Sequence, residues 1–160
     1  MEAMKVGGYE IDVLIQGFPG RMVCHGGLGW STVALVRGEG RVALIDVGSF
    51  NMRKGILDQL ARRNLEPGDV TDVILTHSHY DHSLNWIMFR HARIVIGARE
   101  MKWALEEPWG MTPVAELYVK ELASWKTVQM VGEGDEVMPG MNSCPAATGC
   151  SVGHSSSSRM

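Results

Sequence analysis

Thr76-His77-Ser78-His79-Tyr80-Asp81-His82 holds three of the chain's six histidines and an aspartate, directly after the apolar run VTDVIL. On an extended segment, residues two apart point to the same side, so His77 and His79 can offer both imidazoles to one metal ion. Past the strand end the chain turns, and Asp81 and His82 can address the same ion or a second one about 3.5–4 Å away. Imidazole nitrogen and carboxylate oxygen suit zinc at about 2.0–2.2 Å, and they also suit iron or manganese. The competing reading is a surface histidine cluster or a satisfied helix cap. That reading serves for an isolated His-x-His, but His-x-His-x-Asp-His at the end of an apolar strand favours the metal.

Such a cluster needs a rigid frame, and the neighbouring residues spell one out. STVALVRG and RVALIDVG, Val-rich and separated by a glycine-containing turn at Gly38-Glu39-Gly40, read as a β-hairpin. EIDVLIQGF alternates as a further strand, and the glycine-rich FPGRMVCHGGLGW reads as a loop. MRKGILDQLARRNL spaces Ile56, Leu57, Leu60 and Leu65 as a helix, with PGD as its stop signal. After the cluster come a short helix in SLNWIMFR, a strand in ARIVIGA and a helix in AREMKWALEE halted by Pro108. PVAELYVKELASW carries a helical stripe of Val114, Leu117, Tyr118, Glu121, Leu122 and Trp125, read as core packing, and TVQMVGEGDEVMPGM suggests strands around a Gly-Glu-Gly turn. Strands alternating with helices predict a layered α/β fold.

Composition narrows the function classes. The 160 residues are 45% hydrophobic and 21% charged, the balance of a soluble globular domain. A formal net charge of -3 speaks against nucleic acid as a partner. No apolar run approaches the roughly 20 residues of a membrane span, and the acidic start lacks the basic region of a secretory leader. Three cysteines, Cys24, Cys144 and Cys150, show no disulfide-framework spacing, which favours a reducing, cytoplasmic setting. Trp30, Tyr80, Trp86 and Trp109 are candidates to line a pocket, although aromatic residues more often build the core. The Ser- and Gly-rich end, NSCPAATGCSVGHSSSSRM, cannot bury much apolar surface and is expected to be flexible.

ILTHSHYDH resembles the metal-binding signature of the metallo-β-lactamase superfamily. The order RVALIDVG, GILDQLARRNL, DVTDVILTHSHYDH, ARIVIGARE and GDEVMPGM is similar to that of its lactonase-like and glyoxalase-II-like branches, and covers most of residues 10–140. The resemblance implies an α/β fold, the αββα sandwich, of which this chain supplies largely the N-terminal half: a domain over 1–140 and an altered C-terminal segment over 141–160. It implies that His77 and His79 serve a first metal site and Asp81 and His82 a second. Asp46, at the end of the IDVG strand, would orient the site from behind; its local alternative is a turn aspartate before Gly48. Asp81 would also orient the attacking water or accept its proton.

Superfamily members take a third first-site histidine from a Gly-His-x-x-Gly-His segment. Here Gly149-Cys150-Ser151-Val152-Gly153-His154 puts Cys150 in that place. A Cys150 thiolate can bind zinc at about 2.3 Å, His154 can do so if the register shifts, and Cys150 as an ordinary free thiol is an equal reading. The bridging aspartate and last histidine belong to a second half that 160 residues do not reach, so the expectation is a truncated or frame-altered relative, ligands supplied by another subunit, or an incomplete second site. The implied function is a hydrolase with one or two zinc ions, or iron or manganese, acting on a small ester, lactone, thioester or amide, with acyl-homoserine lactones favoured. A nuclease of the same superfamily and a non-catalytic metal-binding fragment are the alternatives. A small-molecule substrate, no nucleic acid, no membrane and self-association into a homo-oligomer complete the expectation.

Overall fold

The computed structural model describes residues 3–19, 21–22, 26–27, 29–107, 110 and 114–144. Strands β1 (Met4–Val6), β2 (Tyr9–Ile15), β5 (Val33–Gly38), β6 (Arg41–Ile45), β7 (Asp72–Ile74), β8 (Arg93–Gly97) and β9 (Val128–Val131) form one sheet in the order β1-β2-β5-β6-β7-β8-β9; β3 (Arg21–Met22) and β4 (Gly26–Gly27) pair separately between β2 and β5. Neighbours up to β6 are antiparallel, and β6 through β9 run parallel. The β5–β6 turn is the expected one. Glu39 and Gly40 both have positive φ, 51° and 71°, the twist that lets a two-residue loop join right-handed strands.

The parallel strands need crossovers, and helices supply them. These are α1 (Arg53–Ala61), the four-residue α2 (Tyr80–Ser83) with a 3-10 turn over Leu84–Phe89, α3 (Ala98–Glu106) and α4 (Glu116–Ser124). One face of the sheet, with Leu14, Leu35, Leu44, Val73, Ile94 and Ile96, packs under Ile56 and Leu60 of α1, Trp86 and Phe89, and Met101, Val119 and Leu122. The alternate residues Ala43, Ile45, Ile74 and Val95 turn to the other face, under Val137, Met138 and Met141 of the hairpin β10 (Glu136–Met138) and β11 (Met141–Asn142).

Several local expectations shift. Helix α1 ends before Pro67-Gly68-Asp69, because Asn64 takes a left-handed conformation (φ 56°) and Leu65 N–H returns to the Leu60 carbonyl at 3.0 Å, the geometry of a helix C-cap. In α4 the buried residues are Val119 and Leu122, while Leu117 is 70% exposed and Glu121 faces solvent. The strands around Gly132-Glu133-Gly134 do not pair with each other: β9 joins the large sheet and β10 pairs with β11 around Pro139-Gly140. The boundary expected at residue 140 falls inside that hairpin, whose end is held by Ser143 N–H to Asp135 O at 2.8 Å. Trp86 is a core residue, 1% exposed. Pro108, Trp109 and residues 145–160 lie outside the described residues.

Candidate metal centre

The chain changes from antiparallel to parallel pairing at β6, and the carboxyl ends of parallel strands are where α/β folds place their sites. Three successive strands deliver polar side chains there: Asp46 after β6, the Thr76–His82 segment after β7, and Glu100 in the first turn after β8.

Asp46 is 4% exposed and has φ of 56°, a conformation that costs a non-glycine residue about 1–2 kcal/mol and persists only where its surroundings impose it. They do so here. Its carboxylate accepts Thr76 N–H at 2.8 Å, Thr76 Oγ1–H at 2.8 Å and His82 Nδ1 at 2.7 Å. Two residues on, Gly48 (φ 65°) leaves no room for a Cβ, which would meet the Met52 side chain, while its N–H and that of Val47 reach the His82 carbonyl at 3.2 and 2.8 Å.

Thr76 has one hydroxyl proton, and the Asp46 carboxylate takes it. Nδ1 of His77, 3.0 Å from Thr76 Oγ1, is therefore the donor in that contact, and the His77 lone pair lies on Nε2. His82, which donates through Nδ1 to Asp46, is likewise left with Nε2. The His77 and His79 ring centroids are 4.6 Å apart, those of His77 and His82 3.9 Å, and Asp81 Oδ2 lies 3.7 Å from His82 Nε2. His79 Nε2 is buried and, among the described residues, has no hydrogen-bond partner. Burial, reinforced by neighbouring histidines, holds the pKa of His77 and His79 below the ordinary value, so both rings are neutral at pH 7, the form that ligates metal. At His82 burial pushes the other way from the Asp46 hydrogen bond and the Asp46 and Asp81 charges, which together win and raise its pKa.

These residues fit a transition-metal ion in kind: neutral imidazoles, an adjoining carboxylate, and an orphaned buried nitrogen whose desolvation an ion would offset. They fall short in number, because no group of three or more His, Cys, Asp or Glu side chains among the described residues is arranged to hold a metal ion. Among the described residues the His77 ring touches those of both His79 and His82, and Asp81 lies beside His82. Cys150 and His154, the candidate third donors, lie outside the described residues, as does Cys24. Glu100, which bonds Ser78, escaped the sequence reading; the available signal was a glutamate at the third helical position whose N-cap, Gly97, has no side chain to reciprocate.

In the metal-free chain, Asp46→Asn is expected to drop the His82 pKa below its ordinary value, since burial then acts with little opposition. The raised pKa of native His82 contributes stability that is full below about pH 6.5 and fades as pH rises through the folded value. His77 and His79 act oppositely, losing stability as pH falls below about 6.5 toward their lowered values. NMR titration of the three ring protons checks this; an unmoved His82 would contradict it.

Known proteins identify the family and fold that carry this cluster. Residues 26–158 match the model of the metallo-beta-lactamase superfamily. Curated relatives named metallo-beta-lactamase domain-containing protein 1 align at 38% identity over 65 residues in Xenopus laevis (41% of this chain, 28% of that protein) and at 31% over 98 residues in Rattus norvegicus (59% and 39%). The chain therefore spans well under half the length of these relatives. Among solved structures, a Thermotoga maritima protein assigned to the metallo-beta-lactamases superposes with TM-score 0.67 at 25% identity, over 83% of this chain and 63% of that one. A dizinc quorum-quenching lactonase, AidC, shares the fold, with TM-score 0.61 at 16% identity over 86% and 62%. The chain belongs to the metallo-beta-lactamase superfamily, whose members are mostly hydrolases. Its α/β architecture, one large sheet with a helical layer, is that of the superfamily fold.

Proposed function

We propose that this chain is the metal-binding part of a hydrolase for a small ester, lactone, thioester or amide, with acyl-homoserine lactones the favoured class. The observation that carries the reading is His79 Nε2, buried and unpartnered among the described residues beside the His77 ring, which in turn touches His82, at the carboxyl ends of parallel strands. His77 and His79 would hold zinc, with Asp81 and His82 serving it or a second ion, and Cys150 or His154 adding a third donor; iron or manganese suits the same atoms. When bound, such an ion acidifies water and polarises a carbonyl. Asp46 keeps His82 in one tautomer and fixes its ring plane. Asp81, part-exposed beside His82, orients the attacking water and takes its proton on a carboxylate oxygen. The fold shared with two lactonases bound to N-hexanoyl-homoserine products supports the lactone assignment. A small molecule is the partner this site suits; the net charge of -3 weighs against nucleic acid. No helix among the described residues is long and apolar enough to cross a membrane.

A binding role without catalysis is the second reading, favoured by the shortage of donors among the described residues. The two separate in one experiment: metal content of the purified chain, beside turnover of a chromogenic lactone and ester in excess zinc. The expected result is bound zinc with turnover at least 10–100-fold below that of a complete superfamily lactonase, the cost typical of an impaired metal shell. Bound zinc with no turnover would favour the binding role, phosphodiester cleavage the nuclease, and a zinc-free chain would overturn the metal centre. Self-association is expected as well, because Val13, Ala34, Ile45 and Ile74 form a cross-strand row that stays only half-buried among the described residues. Light scattering showing a monodisperse monomer would refute it.

A further inference from the structure

We infer that Glu100 is a positioning residue that sets the spacing of the His77 and His79 rings by clamping Ser78 between them. The inference rests on the metal-centre reading for its purpose, but its geometry stands alone. Residues 76–79 follow the last β7 pairing, Leu75 N–H to Val95 O at 2.9 Å, so the sheet does not hold them; His79 makes an isolated bridge to Val114, and its carbonyl accepts the His82 and Ser83 N–H groups of the next turn, both at 3.0 Å. Alternation along this stretch sends Ser78 inward, fully buried, while His77 and His79 stay partly exposed on the other side.

Every polar group of Ser78 is met by a side chain from elsewhere. Glu100 Oε1 accepts both its N–H, at 2.9 Å, and its hydroxyl, at 2.6 Å. Its carbonyl receives Ser83 Oγ at 3.0 Å, a donor shared with the His79 carbonyl at 3.0 Å.

Glu100 could have done something local. It is the third residue of α3, the position from which a glutamate usually reaches back to its own N-cap N–H. Instead it reaches a serine 22 residues earlier in the chain. Two charge-assisted bonds converging on one oxygen are short and directional, so they fix the Ser78 backbone, and with it the Cα positions from which both imidazoles project. A ligand pair displaced by about 1 Å holds its ion poorly, and supporting partners of metal ligands are typically worth 10–100-fold in affinity.

The test compares Glu100→Ala, Glu100→Gln and Ser78→Ala. Co(II) is the probe, followed by its visible d–d bands and by competition with a chromophoric chelator. In parallel, the metal-free chains are followed by hydrogen exchange of the Ser78 amide and by NMR contacts between the His77 and His79 rings. Glu100→Ala is expected to weaken Co(II) binding about 10–100-fold, change its band pattern, and release the Ser78 amide and the ring contact. Glu100→Gln, whose amide oxygen accepts the same two bonds, should restore all four to near wild type, and Ser78→Ala, which keeps the N–H bond, should fall between. Circular dichroism checks the fold; if Glu100→Ala does not fold, Glu100→Gln decides alone, retention of the four signals supporting the clamp and their loss overturning it. Wild-type behaviour of a folded Glu100→Ala, or equal damage by Glu100→Gln, overturns it too. Failure of the wild-type chain to take up Co(II) sinks the metal-centre reading alone, and amide exchange with the ring contact still decides the clamp.

Discussion

Alanine at both His77 and His79 is expected to strip most of the zinc from the purified chain at neutral pH while leaving its far-UV circular dichroism unchanged. Loss of a partner that merely supports a ligand costs about 10–100-fold in affinity, and removing two donors together should exceed that. Asp81 and His82 would remain, one charged and one committed through Nδ1 to Asp46, too few for a stable site. The fold should tolerate the change because neither ring belongs to the apolar core: among the described residues His77 bonds the exposed Thr76 hydroxyl, and His79 Nε2 has no hydrogen-bond partner. A stability change within about 1 kcal/mol is expected. Metal analysis beside the dichroism spectrum decides the matter, and unchanged zinc content would place the metal elsewhere.

The largest loss of stability is expected from a residue remote from that chemistry. Asp72 on β7 has no exposed surface, yet it carries a carboxylate that receives Arg93 Nε at 2.6 Å and Thr71 Oγ1 at 2.6 Å, with Arg41 at 3.4 Å. Arg93 also donates to the Val137 carbonyl, so the same guanidinium ties the sheet to the β10–β11 hairpin that covers it. Asp72→Ala removes the carboxylate that balances the part-buried Arg93 charge, leaving its Nε without an acceptor and the Thr71 hydroxyl with the Val42 carbonyl. Breaking a buried pair from one side typically costs about 3–5 kcal/mol, which in a chain of this size lowers Tm by roughly 10 °C. Asp72→Asn, which keeps one acceptor oxygen, should lose less. Calorimetry on the two variants tests the ordering, and a Tm for Asp72→Ala within about 2 °C of wild type, less than 1 kcal/mol, would show that the pair contributes nothing net.

What the sequence alone determined is whatever is encoded over short distances. The β5–β6 hairpin was legible because two Val-rich runs flank the glycine-containing Gly38-Glu39-Gly40, which the structure turns with positive φ at Glu39 and Gly40. The strand before the cluster and the crossover helices were legible from periodicity, and the superfamily from one heptapeptide and the order of elements around it. Even locally, the end of α1 was misplaced, because an asparagine in a left-handed conformation competes with a more conspicuous Pro-Gly-Asp. Tertiary structure alone decided how the site is held, since its supports are bonds between residues far apart in the chain: Asp46 to His82 across 36 positions, Glu100 to Ser78 across 22, Arg93 to Asp72 across 21. A carboxylate's partner is chosen by which strands lie side by side and which ends they share, and no local pattern of residue types records that. Thus Glu100 reads as a helix-capping glutamate and Asp72 as a polar residue in a strand until parallel pairing of β6, β7 and β8 brings their partners within reach.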